Sequence, residues 1–203
     1  MKNFDAVIFD LGGVLIDWNP KYLYSTIFDD EKKMNDFFAE ICTSDWNEEQ
    51  DGGRSLKDAT DELIGRFPSH EQNIRAYYGR WEEMLKGPIE GTVEVLKEIY
   101  EKGEVKLYAL TNWSAETFPV ALDRFDFLHW FHGRIVSGEE KIRKPHPEIY
   151  QLLLEKFKIA PASAIYIDDN QRNLTAPAEM GIETIYFVSP EQLRSDLEKF
   201  GVL

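Results

Sequence analysis

The chain has 203 residues, 43% of them hydrophobic, and its 37 acidic and 23 basic side chains give a formal charge of −14. This length suits one domain with a modest insertion, and the acidic excess disfavours binding to nucleic acids and anionic membranes. No run approaches the roughly 20 apolar residues of a membrane span, so we expect a soluble protein. Cys42 is the only cysteine, which excludes an intramolecular disulfide and favours the cytoplasm.

The first predicted element is a buried strand at 4–9. It is a short apolar run that ends at Asp10 and is followed by the pair Gly12-Gly13. β-Branched and aromatic residues followed directly by glycines are typical of a strand that leads into a tight loop.

The next region, 18–86, is polar and rich in helix-forming patterns, with no convincing strand. Gly52-Gly53 and Pro68 divide it into about four predicted helices. We interpret it as a helical cap inserted into a core domain that comprises 1–17 and 87–203. Four side chains are candidates for contact with a substrate, three of them aromatic: Trp18, Trp46, Arg54 and Trp113.

Strands and helices alternate after residue 87. One helical pattern ends at Gly103, and another carries Pro147 in its first turn, where proline is tolerated. This alternation predicts an α/β fold, a doubly wound, Rossmann-like parallel sheet. The four later predicted strands are 105–110, 134–137, 164–167 and 183–188.

Polar residues follow the predicted strands where ligands bind in such sheets, beyond the carboxyl ends. Asp10 follows the first strand, and Thr111 with Asn112 follows the second. Lys144 comes after the third strand and a loop, and Asp168-Asp169 follows the fourth. We therefore expect three carboxylates, a hydroxyl and an ammonium group to meet at one edge of the sheet.

This set of charges favours a divalent cation. Two unit charges about 4 Å apart interact by about 4 kcal/mol at an effective dielectric constant of 20. Three acids beside one lysine therefore repel one another, and oxygen ligands select Mg²⁺. A carboxylate can also act as a nucleophile towards a phosphoryl group, whose transition state needs mainly positioning and charge neutralisation.

Four segments resemble, in order, the four motifs of the haloacid dehalogenase superfamily. They are FDLGGVL (9–15), LTNWS (110–114), KPHPEIY (144–150) and YIDDNQRN (166–173). The insertion also lies where that superfamily places its helical cap. The resemblance implies a hydrolase that acts on a small phosphorylated molecule. Because of the acidic charge, we expect neither nucleic acid nor membrane as a partner. The sequence does not indicate the oligomeric state.

The resemblance also implies a role for each polar residue of the core. Asp10 is then the nucleophile, while Thr111, the backbone of Asn112, and Lys144 bind the phosphoryl group. Mg²⁺ is implied as cofactor, with Asp169 as a direct ligand. The remaining implied contributors to the metal site are Asp10, Asp168 and the carbonyl of Gly12.

The chain departs from the phosphatases of the superfamily at Gly12. They carry an aspartate there as general acid and base, which typically contributes about 10²–10⁴-fold to the rate. Asp17 is a candidate substitute, or else it caps the helix that begins near Pro20. Asn173 is expected to order the loop of Asp169 or to lie on a helix surface.

Two other functions remain open. True dehalogenases also lack this aspartate, but they use no metal, whereas Asp168-Asp169 retains the carboxylates that a metal needs. A non-catalytic binding protein is the second alternative. The string DLGGVLIDWNP is similar to a subgroup related to sugar-1-phosphate phosphatases and to the N-terminal domain of epoxide hydrolases. We therefore expect a Mg²⁺-dependent phosphatase that forms an aspartyl-phosphate on Asp10, with a sugar phosphate as one candidate substrate.

Overall fold

The computed structural model of the protein describes residues 4–203. Its strands are β1 (Ala6–Phe9), β2 (Ile16–Trp18), β3 (Leu85–Pro88), β4 (Lys106–Thr111), β5 (Gly133–Val136), β6 (Ala164–Asp168) and β7 (Glu183–Tyr186). Its α-helices are α1 (Pro20–Tyr24), α2 (Glu31–Glu40), α3 (Ser44–Asp51), α4 (Leu56–Arg66), α5 (Glu71–Gly79), α6 (Glu90–Lys102), α7 (Phe118–Arg124), α8 (Ser137–Glu140), α9 (Pro147–Phe157), α10 (Thr175–Glu179) and α11 (Pro190–Lys199).

Five strands form one parallel sheet in the order β5-β4-β1-β6-β7. Apolar side chains alternate between its two faces, as the pleat requires. Val7 and Phe9 point into the core layer that contains α6 and α11, whereas Ala6 and Ile8 point into the layer that contains α9. Helices therefore cover both faces, and the predicted doubly wound α/β fold is confirmed.

Helices of the core begin and end at the residues that the sequence indicates. Pro147 is the first residue of α9, where its missing N–H costs no hydrogen bond. Gly103 ends α6 in the left-handed conformation, with φ at 65°, which glycine adopts without strain.

The region 18–86 differs from the prediction in two ways. It contains five α-helices instead of four, because α1 has only five residues and gives a weak periodic signal. It also contributes to a two-stranded antiparallel sheet, in which Trp18 of β2 pairs with Leu85 of β3. The expectation of no strand was wrong because this pairing joins distant segments and leaves no local pattern.

No helix within residues 4–203 combines the length and apolar character needed to cross a membrane.

Candidate active site

The strand order brings three of the predicted site residues together. β1 lies between β4 and β6, so their carboxyl ends are neighbours at one edge of the sheet. Asp10 directly follows β1, Thr111 is the last residue of β4, and Asp168 is the last residue of β6. All three are buried.

Lys144 reaches this edge from the segment between α8 and α9. Its Nζ lies 2.9 Å from Asp10 Oδ2 and 2.7 Å from Asp168 Oδ2, and its side chain is 1% exposed. Although burial lowers the pKa of a lysine, the charges of Asp10 and Asp168 raise it above its usual value. Lys144 is therefore a charged ammonium group shared by two carboxylates.

Asp168 accepts hydrogen bonds from several donors. The Asn170 backbone N–H lies 2.8 Å from Oδ1, and Asn173 Nδ2 lies 3.0 Å and 3.1 Å from the two carboxylate oxygens. The hydroxyl of Tyr166 donates to Oδ2. Burial alone would raise the pKa of Asp168, but Lys144 and these donors hold it below its usual value. Asn173 thus orders this loop through Asp168.

Asp10 has a different electrostatic environment. Burial raises the pKa of its carboxyl to about 7, and the charges of Asp168 and Asp169 act in the same direction, while Lys144 opposes them. Burial and the charge of Asp168 also raise the pKa of Asp169. Asp10 Oδ1 accepts a 2.7 Å hydrogen bond from the N–H of Leu11, which orients the carboxylate.

The cluster formed by Asp10, Asp168 and Asp169 has the geometry of a cation site. One oxygen from each carboxylate lies within 4.8 Å of the others. The loop is tight here, because a Cβ on Gly13 would lie 2.2 Å from Asp169 Oδ2. A divalent cation prefers such oxygen ligands, and it would offset the repulsion that raises the pKa values of Asp10 and Asp169.

A cavity of about 550 Å³ lies over this cluster. Its floor includes Asp10, Thr111 and Lys144, and its far wall comes from the helical region, including Glu48. Glu48 forms ion pairs with Arg143 and Arg172 of the core, so charged groups join the two walls. The further lining residues include Gly12, Trp18, Phe38, Asp51, Asn112 and Asp169.

Some candidate residues have other contacts. Trp46 packs against Tyr77 and Tyr78 inside the helical region. Arg54 forms ion pairs with Glu49 and Glu62 on that region's surface. Neither contact involves the residues at the sheet edge.

Asp17 and Trp113 also lie outside the carboxylate cluster. Asp17 accepts hydrogen bonds of 2.9 Å from the hydroxyl of Tyr22, and the cap of α1 is Asn19 instead. The idea that Asp17 caps this helix was therefore wrong. Trp113 lines a small adjoining cavity of about 70 Å³, and its indole N–H donates to Thr117 Oγ1.

Asp51 is an ionisable residue at the site that the sequence did not indicate. It is the last residue of α3 and lines both cavities. Burial raises the pKa of its carboxyl to about 7. Its position before Gly52-Gly53 is the only local feature that could have indicated a functional residue, and an acid at this position is equally typical of an ordinary helix end.

The family model for haloacid dehalogenase-like hydrolases matches residues 7–187. The chain belongs to this family. Among curated proteins, this hydrolase is 28% identical over 179 residues to a sesquiterpene phosphatase of Aspergillus oryzae, covering 88% of this chain and 87% of that protein. It is also 28% identical over 197 residues to a phosphorylated carbohydrates phosphatase of Thermotoga maritima, covering 91% and 85%.

Solved structures share the fold of this haloacid dehalogenase-like hydrolase. An enzyme of the same family from Bacteroides thetaiotaomicron, in complex with magnesium and inorganic phosphate, superposes with a TM-score of 0.69 at 20% identity, covering 92% and 96% of the two chains. An L-2-haloacid dehalogenase from Xanthobacter autotrophicus superposes with a TM-score of 0.61 at 17% identity, covering 98% and 84%. These likenesses show the fold, which also occurs in a dehalogenase.

Proposed function

We propose that this protein is a Mg²⁺-dependent phosphatase that hydrolyses a small phosphorylated metabolite through an aspartyl-phosphate on Asp10. The observation that carries the proposal is the grouping of Asp10 with Asp168, Asp169 and Lys144. Cleavage of a carbon–halogen bond needs no metal, whereas the two further carboxylates beside Asp10 are suited to hold one. Phosphoryl transfer needs positive charge at this point.

The residues present fit a magnesium ion. Asp10 and Asp169 would bind it, with Asp168 and the carbonyl of Gly12 as further contributors, because their oxygen atoms match its preference. When bound, Mg²⁺ would neutralise charge on the phosphoryl oxygens and on the nucleophile.

The protein's own residues would perform the transfer. Leu11 N–H orients the carboxylate of Asp10, one oxygen of which would attack phosphorus. Lys144 neutralises charge beside that carboxylate and remains fixed because Asp168 binds its other side. Thr111 and the Asn112 backbone face the same cavity and would donate hydrogen bonds to the phosphoryl oxygens. Trp113, next in the chain, would support the substrate side of this loop.

The substrate class is inferred from the cavity and from the relatives. A volume of about 550 Å³ suits a small molecule. The two curated relatives bear the names of phosphatases for a carbohydrate and a sesquiterpene, and a sugar phosphate is our preferred candidate. We further propose that 18–86 acts as a cap on a core formed by 1–17 and 87–203, and that the protein works in the cytoplasm.

Release of phosphate from 4-nitrophenyl phosphate tests this function. We expect turnover by the unchanged protein with Mg²⁺, and its loss with EDTA or in Asp10→Asn. Asp17→Asn is the matched control, since Asp17 binds Tyr22 away from the carboxylate cluster, and it should retain turnover.

Two outcomes would contradict the proposal. Halide release from 2-chloropropionate in EDTA, without phosphatase activity, would show a dehalogenase. Mg²⁺ binding without turnover on any aryl phosphate would show a binding protein.

A further inference from the structure

We infer that Asp51 is the general acid and base of this site and replaces the aspartate whose position Gly12 occupies. The inference rests on the proposed phosphatase function and assigns its missing proton donor and acceptor. It would make the helical region part of the catalytic machinery, since Asp51 belongs to α3.

Asp51 shares both cavities with the residues of the reaction. It lines the main cavity together with Asp10 and Thr111. It also lines the small adjoining cavity together with Gly12. A Cβ added at Gly12 would meet no atom within 4 Å, so the space that a side chain at position 12 would occupy is open towards the cavities.

The backbone of Asp51 is fixed against the loop that follows β4. Ser137 Oγ donates a 2.5 Å hydrogen bond to the carbonyl of Asp51 and accepts a 2.9 Å hydrogen bond from the N–H of Trp113. Gly138 packs tightly on the same loop, because a Cβ there would lie 2.4 Å from the nitrogen of Ala115. The hydroxyl of Ser137 thus joins the end of α3 to Trp113, the residue that follows Thr111-Asn112.

Of the two acids that α3 contributes to the cavity wall, Asp51 is the one suited to proton transfer. Glu48 is engaged in ion pairs with Arg143 and Arg172. Asp51 Oδ2 accepts a 3.2 Å hydrogen bond from Asn47 Nδ2, a neutral donor that leaves the carboxyl free to titrate.

The surroundings of Asp51 adjust its pKa to neutral pH. Burial is the main cause of its rise to about 7, and the charge of Glu48 adds to it. Arg143, the backbone of Ser114, and Lys144 act in the opposite direction. The phenols of Tyr77 and Tyr78 face it from α5 and stay neutral, because burial raises their own pKa values. An acid with a pKa near the working pH can both donate and accept a proton.

The proposed proton transfers balance over one cycle. An oxygen of Asp10 bonds to phosphorus while the bond from phosphorus to the leaving oxygen breaks, and protonated Asp51 gives its proton to that oxygen. Ionised Asp51 then removes a proton from water, whose oxygen bonds to phosphorus as the bond to Asp10 breaks. Phosphate leaves, and both carboxyl groups return to their starting states.

The test compares leaving groups in Asp51→Asn, with Asp45→Asn as the control because Asp45 is exposed on the same helix. For glycerol phosphate, whose alkoxide needs a proton, kcat/KM should fall about 10²–10⁴-fold. For 4-nitrophenyl phosphate, kcat/KM should change by no more than about threefold, because nitrophenolate leaves unprotonated. A burst of nitrophenol followed by slow turnover is also expected, since the second step has lost its base.

A double variant distinguishes loss of the acid from a defect in folding. Gly12→Asp combined with Asp51→Asn should restore at least one tenth of the glycerol phosphate activity, whereas Gly12→Asp alone should raise it by less than about threefold. In the unchanged protein, kcat/KM for glycerol phosphate should fall above pH about 7, while that for 4-nitrophenyl phosphate should not.

The possible outcomes distinguish a failure of this inference from a failure of the proposed phosphatase function. The inference would be overturned if Asp51→Asn left unchanged both the ratio of kcat/KM for the two substrates and the pH profile. Turnover that still depends on Asp10 would in that case support the proposed phosphatase function. Absence of phosphate release from the unchanged protein would overturn both.

Discussion

Asn112 and Lys144 hold each other by two reciprocal hydrogen bonds. Asn112 Nδ2 donates to the carbonyl of Lys144 at 3.0 Å, and the N–H of Lys144 donates to Asn112 Oδ1 at 2.8 Å. The side chain that follows β4 therefore fixes the backbone that carries the buried lysine. These bonds thereby fix the position of Lys144 relative to Thr111, although the two residues belong to separate motifs.

Asn112→Ala should impair catalysis through Lys144. It leaves a peptide N–H and carbonyl without these partners, so we expect a loss of about 1–3 kcal/mol in the free energy of unfolding. We also expect a fall in kcat of about 10-fold, because loss of the pair displaces the lysine. Urea unfolding and steady-state kinetics measure the two effects. Asn35→Ala, at an exposed position of α2, should change neither.

Lys144→Met should destabilise the fold strongly. It removes the cation between Asp10 and Asp168 and leaves two buried carboxylates facing each other, a change that typically costs about 3–5 kcal/mol. Urea unfolding in EDTA at pH 7 measures this loss. Lys97→Met, on the exposed face of α6, should cost less than about 0.5 kcal/mol. Equal effects of the two variants would contradict a central role for the buried ion pairs.

Gly13→Ala should disturb the acidic cluster, whereas Gly12→Ala should not. Gly13 has φ at +74°, and its Cβ would meet Asp169 Oδ2 at 2.2 Å. We expect a loss of about 1–2 kcal/mol in stability from the left-handed backbone alone. The Mg²⁺ concentration for half-maximal activity should rise at least about 10-fold. Similar Mg²⁺ titrations for the two alanine variants would show that Asp169 has no part in metal binding.

Asp169→Asn should stabilise the metal-free protein and abolish its response to Mg²⁺. The substitution removes one of three carboxylates that repel one another, so the melting temperature in EDTA should rise. In the unchanged protein, Mg²⁺ at about 100 times its Kd should add about 2.7 kcal/mol to the free energy of unfolding. Differential scanning fluorimetry with and without Mg²⁺ compares the two proteins. An equal Mg²⁺ response in both would exclude this cluster as the cation site.

Asp51→Asn should change how stability depends on pH. A carboxyl whose pKa is raised from 3.8 to about 7 on folding binds its proton more tightly in the folded state. Its contribution to stability is therefore present below pH about 4 and is lost as pH rises through about 7. Asparagine has no such loss, so the variant should gain about 1–2 kcal/mol relative to the unchanged protein between pH 5 and 8.

Urea unfolding in EDTA at several pH values measures this gain. Asp45→Asn, at an exposed position of the same helix, is the control for the loss of one acidic side chain. A difference between Asp51→Asn and the unchanged protein that stays constant with pH would show that the Asp51 carboxyl titrates as it does in the unfolded chain.

Sequence patterns alone predict the fold class and three of the positions at the sheet edge. Apolar runs that alternate with helical patterns predict a parallel sheet, and residues after such strands must meet at one edge. The meeting of Asp10, Thr111 and Asp168 at one edge therefore follows from the sequence, and the order of the four motifs identifies the family.

The contacts between functional groups, and the pKa values near neutral pH, arise only when separate elements pack together. The pairing of β2 with β3, the hydrogen bonds between Asn112 and Lys144, and the position of Asp51 all join segments that are distant in the chain. A pKa depends on burial and on charges from several elements, and Asp51 becomes unusual only when α3 packs against the loop after β4. Local sequence patterns do not predict such contacts, because the contacts depend on how separate elements pack.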